Sequence, residues 1–457
     1  MRDAGKIAAA IEVLADFDAR RVPLKTALAD WARNNRYAGA KDRAWISGLC
    51  LDVLRRRHSL AAKMGADSPR ALAFAALRFM WGMSADDLAD AAAGEYGPGA
   101  LSAEERQALQ FDAGTDVSSS PCGAESALAE NAAREMARAH IAGDFPEWLT
   151  LQIERVFGDS AARVMAAFAA RADIDLRINT LKATPEKALA ALKSVKAEAA
   201  PQLTTAARIA APYPSMKAPG VTDIPAFNKG WVEVQDLGSQ IAALAAGDIK
   251  GAQVLDFCAG GGGKTLALAA LMENTGQLYA YDRDARRLRP LYDRAKRAGV
   301  RNLQIINPAT DKCALDALAG RMDVVFVDAP CTGAGTWRRH PDTKWRLTPE
   351  QLERRMGEQD AVLAEAAEYV KPGGVLVYVT CSFLMEENED RLSQFVAAHA
   401  DFSPAPVLAR FDATGLLTDA GRAALAECAA ANDALRLTPL HLRADGFFVA
   451  ALQRESA

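Results

Sequence analysis

The sequence has few of the residues that metal-binding, disulfide-stabilised or membrane-spanning proteins need. Five His and seven Cys are scattered along 457 residues, and no CxxC or Cys/His cluster indicates a zinc site or a disulfide framework. No run of about eighteen uncharged apolar residues indicates a membrane span, and acids interrupt the N-terminal apolar stretch, unlike a secretory signal. We therefore expect a cytoplasmic protein with no metal site and no membrane association. A monomer is the default expectation, although the sequence does not determine the oligomeric state.

The net charge of −4 is small, but the charges are unevenly distributed. Residues 1–80 hold 15 Lys and Arg against 8 Asp and Glu, whereas residues 81–135 hold 2 against 11. A basic block favours binding of a polyanion, because neutralised phosphates release their counterions. The same block is also typical of a solvated helix face, so charge alone leaves both interpretations open.

Three regions differ in their periodicity, which predicts domains at 1–140, 141–245 and 246–457. Residues 4–80 repeat apolar positions at helical spacing, and the polar stretch 112–126 is typical of a linker. Residues 145–245 read as mixed α and β. From 251 onward, strands and helices alternate, which indicates a parallel sheet with flanking helices, and the run RADGFFVAALQRE at 443–455 predicts an edge strand.

The stretch DFCAGGGGKT at 256–265 suggests a phosphate-binding loop, but its spacing excludes a P-loop ATPase. That motif needs a glycine at the position that holds Cys258. The stretch fits better as the first strand, tight turn and helix of a doubly wound fold, where a ligand meets the strand end and the helix N-terminus. A flexible glycine loop without a ligand is the alternative, although glycines directly after a buried strand make a poor linker.

The second strand, GQLYAYD, ends in Asp282, about 20 residues after the glycine loop, where an acid commonly accepts hydrogen bonds from ribose hydroxyls. The G-x-G-x-x-G spacing of a nicotinamide oxidoreductase is not matched. A single unit with one acid for adenosine indicates S-adenosylmethionine.

Two cysteines follow apolar strands: Cys331 follows VVFVDAP and Cys381 follows VLVYVT. The carboxyl ends of parallel strands open on one face, so both thiols and Asp328 are expected in one pocket. Attack of a thiolate on C6 of cytosine would activate C5 towards a methyl group, and an acid near N3 would stabilise the developing charge. Either cysteine alone would be read as a small buried apolar residue.

The motifs LDFCAGGGGKT, FVDAPCTGAGTWRRHPDTKW and VYVTCSFLMEENED together resemble those of RNA 5-methylcytosine methyltransferases of the RsmB/Sun type. The resemblance covers roughly 145–455. It implies that Cys381 attacks the base and that Cys331 assists product release. Here Gly260-Gly261 stands where the family has Ala-Pro. Cofactor contacts are implied at Cys258, Ala259, Gly260, Gly261, Gly262, Gly263, Lys264, Asp282 and Asp328, with Asp311 as the nearest candidate for a further acid.

The resemblance also implies an overall fold: a Rossmann-like S-adenosylmethionine-dependent methyltransferase domain, a small α+β RRM-like subdomain and an all-α N-terminal domain. The front of the chain resembles NusB-like RNA-binding domains. The loop TWRRHPDTKWR interleaves aromatic and basic residues, as expected of a surface for unpaired RNA, and predicts RNA contacts at Trp337, Arg338, Arg339, His340 and Lys344.

The expected function is methylation of C5 of a cytosine in RNA, with 16S ribosomal RNA as the default substrate. The alternatives are a transfer-RNA methyltransferase and a catalytically inactive RNA-binding paralogue. An RNA-binding factor would explain the basic front of the chain but would give the two thiols no role.

Overall fold

The structure, a computed structural model, describes residues 1–110, 139–214, 216 and 219–456. The predicted linker at 112–126 lies outside these residues. By packing, the chain divides into two compact units. The first comprises Met1–Arg171, Pro212–Ala218 and Trp337–Arg346, and the second comprises Ala172–Ala211, Pro219–Thr336 and Leu347–Ala457. These units do not follow the expected boundaries at 140 and 245, and the three-domain arrangement stays a prediction.

The elements of the described residues are named in chain order. The α-helices are α1 (Asp3–Arg20), α2 (Leu24–Asn34), α3 (Ala40–Arg55), α4 (Arg57–Met64), α5 (Pro69–Phe79), α6 (Ala85–Ala93), α7 (Ala103–Gln110), α8 (Thr150–Phe157), α9 (Ala161–Phe168), α10 (Pro185–Ala191), α11 (Pro225–Asn228), α12 (Leu237–Ala243), α13 (Gly263–Leu271), α14 (Ala285–Ala298), α15 (Lys312–Asp316), α16 (Pro341–Arg346), α17 (Pro349–Ala367), α18 (Glu389–Ala398), α19 (Val407–Ala413), α20 (Asp419–Ala426) and α21 (Pro439–Leu442). The strands are β1 (Ile174–Ile178), β2 (Glu198–Ala199), β3 (Ala206–Ile209), β4 (Val232–Val234), β5 (Gln253–Asp256), β6 (Gln277–Tyr281), β7 (Leu303–Ile306), β8 (Met322–Asp328), β9 (Val370–Thr380), β10 (Phe402–Ala405), β11 (Leu435–Leu437) and β12 (Phe447–Arg454).

The first unit has a helical core, as the helical spacing of residues 4–80 predicted. Helix α5 shows why the sequence forms a helix there: Ser68 accepts a hydrogen bond from the backbone N–H of Ala71, and Pro69 occupies the first helical position. The buried positions of α1, α3 and α5 pack into one apolar cluster, and among its fully buried side chains are Ile7, Ile46, Leu49 and Phe74. This packing stabilises the helices more than their intrinsic propensities do.

The second unit contains a small antiparallel sheet with the strand order β2-β3-β1-β4. The predicted strand in DLRINTLK is β1, and its inward side chains Leu176 and Ile178 pack with residues of α10. The predicted cap of α10 is also present, since the side chain of Thr184 accepts a hydrogen bond from the backbone N–H of Lys187. The mixed α and β character expected of this region is confirmed.

The same unit contains a sheet of eight strands in the order β10-β12-β9-β8-β5-β6-β7, with β11 paired to β12. Strands β5 to β9 pair in parallel, which confirms the expected Rossmann-like core. Apolar clusters cover both faces of the sheet. The carboxyl ends of β5, β6, β8 and β9 therefore share one edge, as a ligand site of this fold requires.

The predicted edge strand at the end of the chain is wrong in its position. Strand β12 lies inside the sheet, antiparallel to both β9 and β10. Its residues are buried from Phe447 to Leu452, so both of its faces are covered. An uninterrupted apolar run of this kind is typical of an internal strand.

In the described residues no helix is both long and apolar enough to cross a membrane.

Candidate active site

Backbone hydrogen bonds beyond the strand ends join the loops that bear the candidate residues. Phe257 N–H donates to Phe326 O at 2.9 Å, and Ala259 N–H donates to Tyr281 O at 2.9 Å. Ala329 N–H donates to the carbonyl of Val379, at 2.8 Å. The loops after β5, β6, β8 and β9 are therefore fixed side by side before their side chains are considered.

The two predicted thiols meet at the ends of β8 and β9. The Sγ atoms of Cys331 and Cys381 are 3.3 Å apart, and both residues are half-buried. The hydrogen bond with Cys381, together with burial, raises the pKa of the Cys331 thiol well above its usual value. The backbone N–H of Gly335 donates to Cys381 O at 2.9 Å. Only glycine allows this close approach, because a Cβ at position 335 would lie 2.1 Å from Gly446 O.

Asp328, at the end of β8, forms an ion pair with Lys264 at the start of α13. The Nζ of Lys264 lies 2.7 Å from Asp328 Oδ2 and 5.0 Å from the ring centroid of Phe447. The lysine is buried while the carboxylate is partly exposed. Lys264 therefore contacts the carboxylate of Asp328, and its predicted contact with the cofactor stays a prediction.

A second carboxyl, Asp256, is fully buried at the end of β5 and was not singled out from the sequence. Thr265 donates its hydroxyl hydrogen to Asp256 Oδ2 at 2.6 Å. Burial raises the pKa of Asp256 to about 7, and the nearby charges of Asp328 and Asp282 act in the same direction. This carboxyl anchors the first residues of α13 beneath the glycine loop.

Asp282 organises the glycine loop from the end of β6. Its Oδ2 accepts a hydrogen bond from Gly260 N–H at 3.0 Å, its Oδ1 accepts one from Asp284 N–H at 3.0 Å, and Arg287 Nη1 lies 3.0 Å from Oδ2. Gly262 has a φ of +84°, and a Cβ there would lie 2.2 Å from Leu291 Cδ1 of α14. The turn at position 262 therefore requires glycine on two grounds.

A cavity of about 570 Å³ opens beside Asp282. Its walls combine apolar side chains with charged residues from the loop after β6 and from α17. That volume and this mixture of groups suit a nucleoside-bearing ligand, with apolar walls for a purine and charged groups for its sugar and substituents. The lining residues are Phe257, Cys258, Tyr281, Asp282, Arg283, Asp284, Ala285, Arg286, Arg287, Pro330, Arg355, Glu358 and Val362.

A buried network that sequence reasoning missed holds the Cys331 loop. The carboxylate of Glu387 accepts hydrogen bonds from Thr332 N–H at 2.7 Å and from Thr332 Oγ1 at 2.6 Å. Gln359 Nε2 donates to Glu387 Oε1 at 3.1 Å and to Pro330 O at 2.9 Å. Burial raises the pKa of Glu387. The only sequence signal was the acidic run EENED at 386–390, which follows Cys381.

The structure does not support Asp311 as a cofactor residue. Asp311 is exposed, does not line the cavity, and accepts a hydrogen bond from the backbone N–H of Asn307 at 3.2 Å. Its carboxylate stabilises the local turn after β7.

The structure also contradicts the predicted RNA contacts of Trp337, Arg338 and Lys344, which are only 1%, 3% and 2% exposed. They belong to the first unit, where Lys344 Nζ donates to Arg55 O at 3.1 Å and burial lowers the pKa of Lys344 to about 7. Within the same segment Arg339 is half-buried and His340 is exposed, so RNA contacts of these two stay predictions.

Comparisons with known proteins agree with this geometry. Residues 243–453 match the model of the 16S rRNA methyltransferase RsmB/F family, and residues 145–215 match the ferredoxin-like domain of RsmF/B-like methyltransferases. A probable ribosomal RNA small subunit methyltransferase B of Synechocystis sp. is 32% identical over 314 residues, covering 68% of this chain and 67% of the relative. The chain belongs to the RsmB/F methyltransferase family. The first curated relatives are matched over 58–67% of their own length.

Solved structures support the same fold. PH0851 aligns over 99% of both chains with a TM-score of 0.68 at 24% identity. A methyltransferase homologue from Pyrococcus horikoshii aligns over 70% of this chain and 99% of its own, with a TM-score of 0.55 at 26% identity. The RsmB/F family is S-adenosylmethionine-dependent, and the cavity beside Asp282 fits that cofactor.

Proposed function

We propose that this RsmB/F family member methylates C5 of a cytosine in 16S ribosomal RNA through a covalent bond between Cys381 and C6. The observation that carries the proposal is the 3.3 Å separation of the Cys331 and Cys381 sulfurs beside the Lys264–Asp328 ion pair. When bound, S-adenosylmethionine supplies an electrophilic methyl group. The curated relatives named as small subunit methyltransferases support ribosomal RNA as the substrate.

The resemblance of the stretch VYVTCSFLMEENED to the family's motifs supports Cys381 as the nucleophile. A Cys331 thiol that keeps its proton can donate a hydrogen bond to Cys381 Sγ and so stabilise the thiolate there. When Cys381 Sγ bonds to C6, the electron pair of the C5–C6 bond becomes available at C5. Asp328, held by Lys264, is proposed to contact the N3 edge of the base, where the lysine charge offsets the charge that develops.

Release of the product needs a group that accepts the C5 proton. Once Cys381 is bonded to C6, the hydrogen bond that raises the pKa of Cys331 is lost. Cys331 can then give its proton to water and accept the C5 proton, and the electrons of that C–H bond re-form the double bond as Sγ of Cys381 leaves C6. Attack and release therefore use different sulfurs.

The test compares Cys331→Ala with Cys381→Ala on an unmodified transcript of the small-subunit ribosomal RNA. Cys331→Ala should accumulate a covalent protein–RNA complex, visible as a slow band on a denaturing gel that collapses with ribonuclease. Cys381→Ala should form no such complex and no 5-methylcytosine by bisulfite sequencing. If Cys381→Ala is the variant that accumulates the complex, the two roles are reversed; if both variants methylate normally, the thiols are packing residues.

A further inference from the structure

We propose that a basic groove in the second unit binds the phosphate backbone of the substrate RNA. This inference rests on the proposed function, because it names a contact surface for the same substrate. The groove lies among Lys182, Lys229, Trp231, Lys296 and Arg297, and has a volume of about 570 Å³. It is separate from the cavity beside Asp282.

The groove carries an excess of positive charge that the protein does not neutralise. Lys182, Lys229 and Lys296 are exposed, and none of them has a carboxylate within 4.0 Å in the part of the chain that the structure describes. Arg297 is paired with Glu233 at 2.5 Å, and Asp293 is the one acid of the lining. Exposed ammonium groups without carboxylate partners attract a polyanion, because its phosphates can take the place of those carboxylates.

Two lysine side chains lie against the ring of Trp231. The Nζ atoms of Lys187 and Lys229 lie 4.4 and 5.0 Å from its ring centroid. The ring attracts both cations, while the cations repel one another in the absence of an anion. Because a helix C-terminus stabilises nearby cations, α14 alone would account for Lys296. It does not account for Lys182, Lys187 and Lys229, which lie outside that helix.

The groove is close to the glycine loop along α14. Arg294 donates to Gly261 O at 2.5 Å and also pairs with Glu233, the partner of Arg297. Arg294 and Arg297 are three residues apart, which is about 4.5 Å of helix axis. An RNA strand whose target base reaches the strand ends can therefore extend its backbone along this side of the second unit.

The test uses a charge-reversal pair and a matched control. The groove variant is Lys229→Glu/Lys296→Glu. The control is Lys193→Glu/Arg321→Glu, which changes the net charge equally at exposed residues outside the groove. Affinity for an unmodified transcript of the small-subunit ribosomal RNA is measured at several KCl concentrations. The groove variant should bind at least about tenfold more weakly, and its logarithmic salt slope should fall by about two, whereas the control should keep the wild-type slope.

The outcomes separate this proposal from the proposed function. If the wild-type protein forms no 5-methylcytosine, the proposed function fails. If it does, but the groove variant binds the transcript with unchanged affinity and slope, the groove proposal is overturned. An equal loss in the control also overturns it, because the effect would then come from net charge alone.

Unchanged RNA binding with lost affinity for phosphatidylserine vesicles would assign the groove to membranes instead. Binding of S-adenosylhomocysteine, the cofactor product, checks that both variants are folded.

Discussion

Gly260 shows how one residue connects the loop to its neighbours. It has a φ of +51°, and a Cβ there would lie 3.1 Å from Arg287 Nη2. The guanidinium that fills this space is the one paired with Asp282. The RsmB/Sun-type motif has alanine where this chain has Gly260. Because Gly260 lacks the Cβ of alanine, Arg287 has room to lie against the loop. Local spacing predicted the loop and Asp282, but only the folded chain brings Arg287 to them.

Asp256 gives a prediction for the pH dependence of stability. Its pKa is about 7 in the folded protein against an ordinary value of 3.8, so between these pH values the folded state binds more protons than the unfolded state. The free energy of unfolding should therefore fall as pH rises from about 4 to about 7, by up to about 4 kcal/mol from this group, and change no further above that. Asp256→Asn cannot ionise and should lack this slope.

The measurement is denaturant unfolding of the wild type and of Asp256→Asn at several pH values across this window. Thr265 can still donate to the amide oxygen of the variant, so the hydrogen bond is retained. Asp248→Asn, at an exposed position, is the control and should follow the wild type. Parallel curves for the wild type and Asp256→Asn would contradict the raised pKa.

At the scale of elements, the loops after β8 and β9 are held together by Glu387. Glu387→Ala removes the acceptor of Thr332 N–H, Thr332 Oγ1 and Gln359 Nε2. Leaving buried donors unpaired should lower the free energy of unfolding by about 1–3 kcal/mol. The same change frees the Cys331 loop, so the yield of covalent RNA complex in the Cys331→Ala background should also fall.

Glu387→Gln is the matched comparison, because its amide oxygen can accept from Thr332 N–H and the threonine hydroxyl can turn to accept from its amide. It should restore most of the lost stability and of the covalent complex, and S-adenosylhomocysteine affinity should be unchanged in both variants. If Glu387→Ala unfolds and reacts like the wild type, this network does not position the loop.

Local pattern predicted the elements better than it predicted their partners. The strands that end at or just before Asp282, Asp328 and Cys381 were predicted because each is an apolar run that ends at a turn or a polar residue. The internal position of β12 was not, because its two partner strands, β9 and β10, come from other parts of the chain, and its apolar run was read without them. Glu387 was missed for the same reason: its partners lie on other elements of the chain.

At the scale of the whole molecule, the segment Trp337–Arg346 is the clearest case of sequence and structure disagreeing. Its alternation of aromatic and basic residues is typical of an RNA surface, yet it forms part of the first unit. Trp345 Nε1 donates to Leu54 O at 2.6 Å, and Arg55 Nε and Nη2 donate to Arg338 O at 3.1 and 2.9 Å. The last turn of α3 offers the carbonyl of Leu54 because a helix C-terminus leaves its last carbonyls unpaired, and a sequence does not reveal which side chain will reach it.

This packing predicts that the first 140 residues support the fold of the segment Trp337–Arg346. A protein that begins at residue 141 loses α3, so Trp345 loses the apolar cluster that it packs against and Lys344 loses the carbonyl of Arg55. The newly exposed aromatic rings should lower the midpoint of thermal unfolding and increase binding of an apolar fluorescent dye, because exposed apolar area is unfavourable in water. Trp345→Phe in the full chain is the control: it loses one hydrogen bond to Leu54 but keeps the packing, so its midpoint should fall much less. If the shortened protein unfolds at the wild-type temperature without binding the dye, the burial of Trp337–Arg346 does not depend on the helices of the first unit.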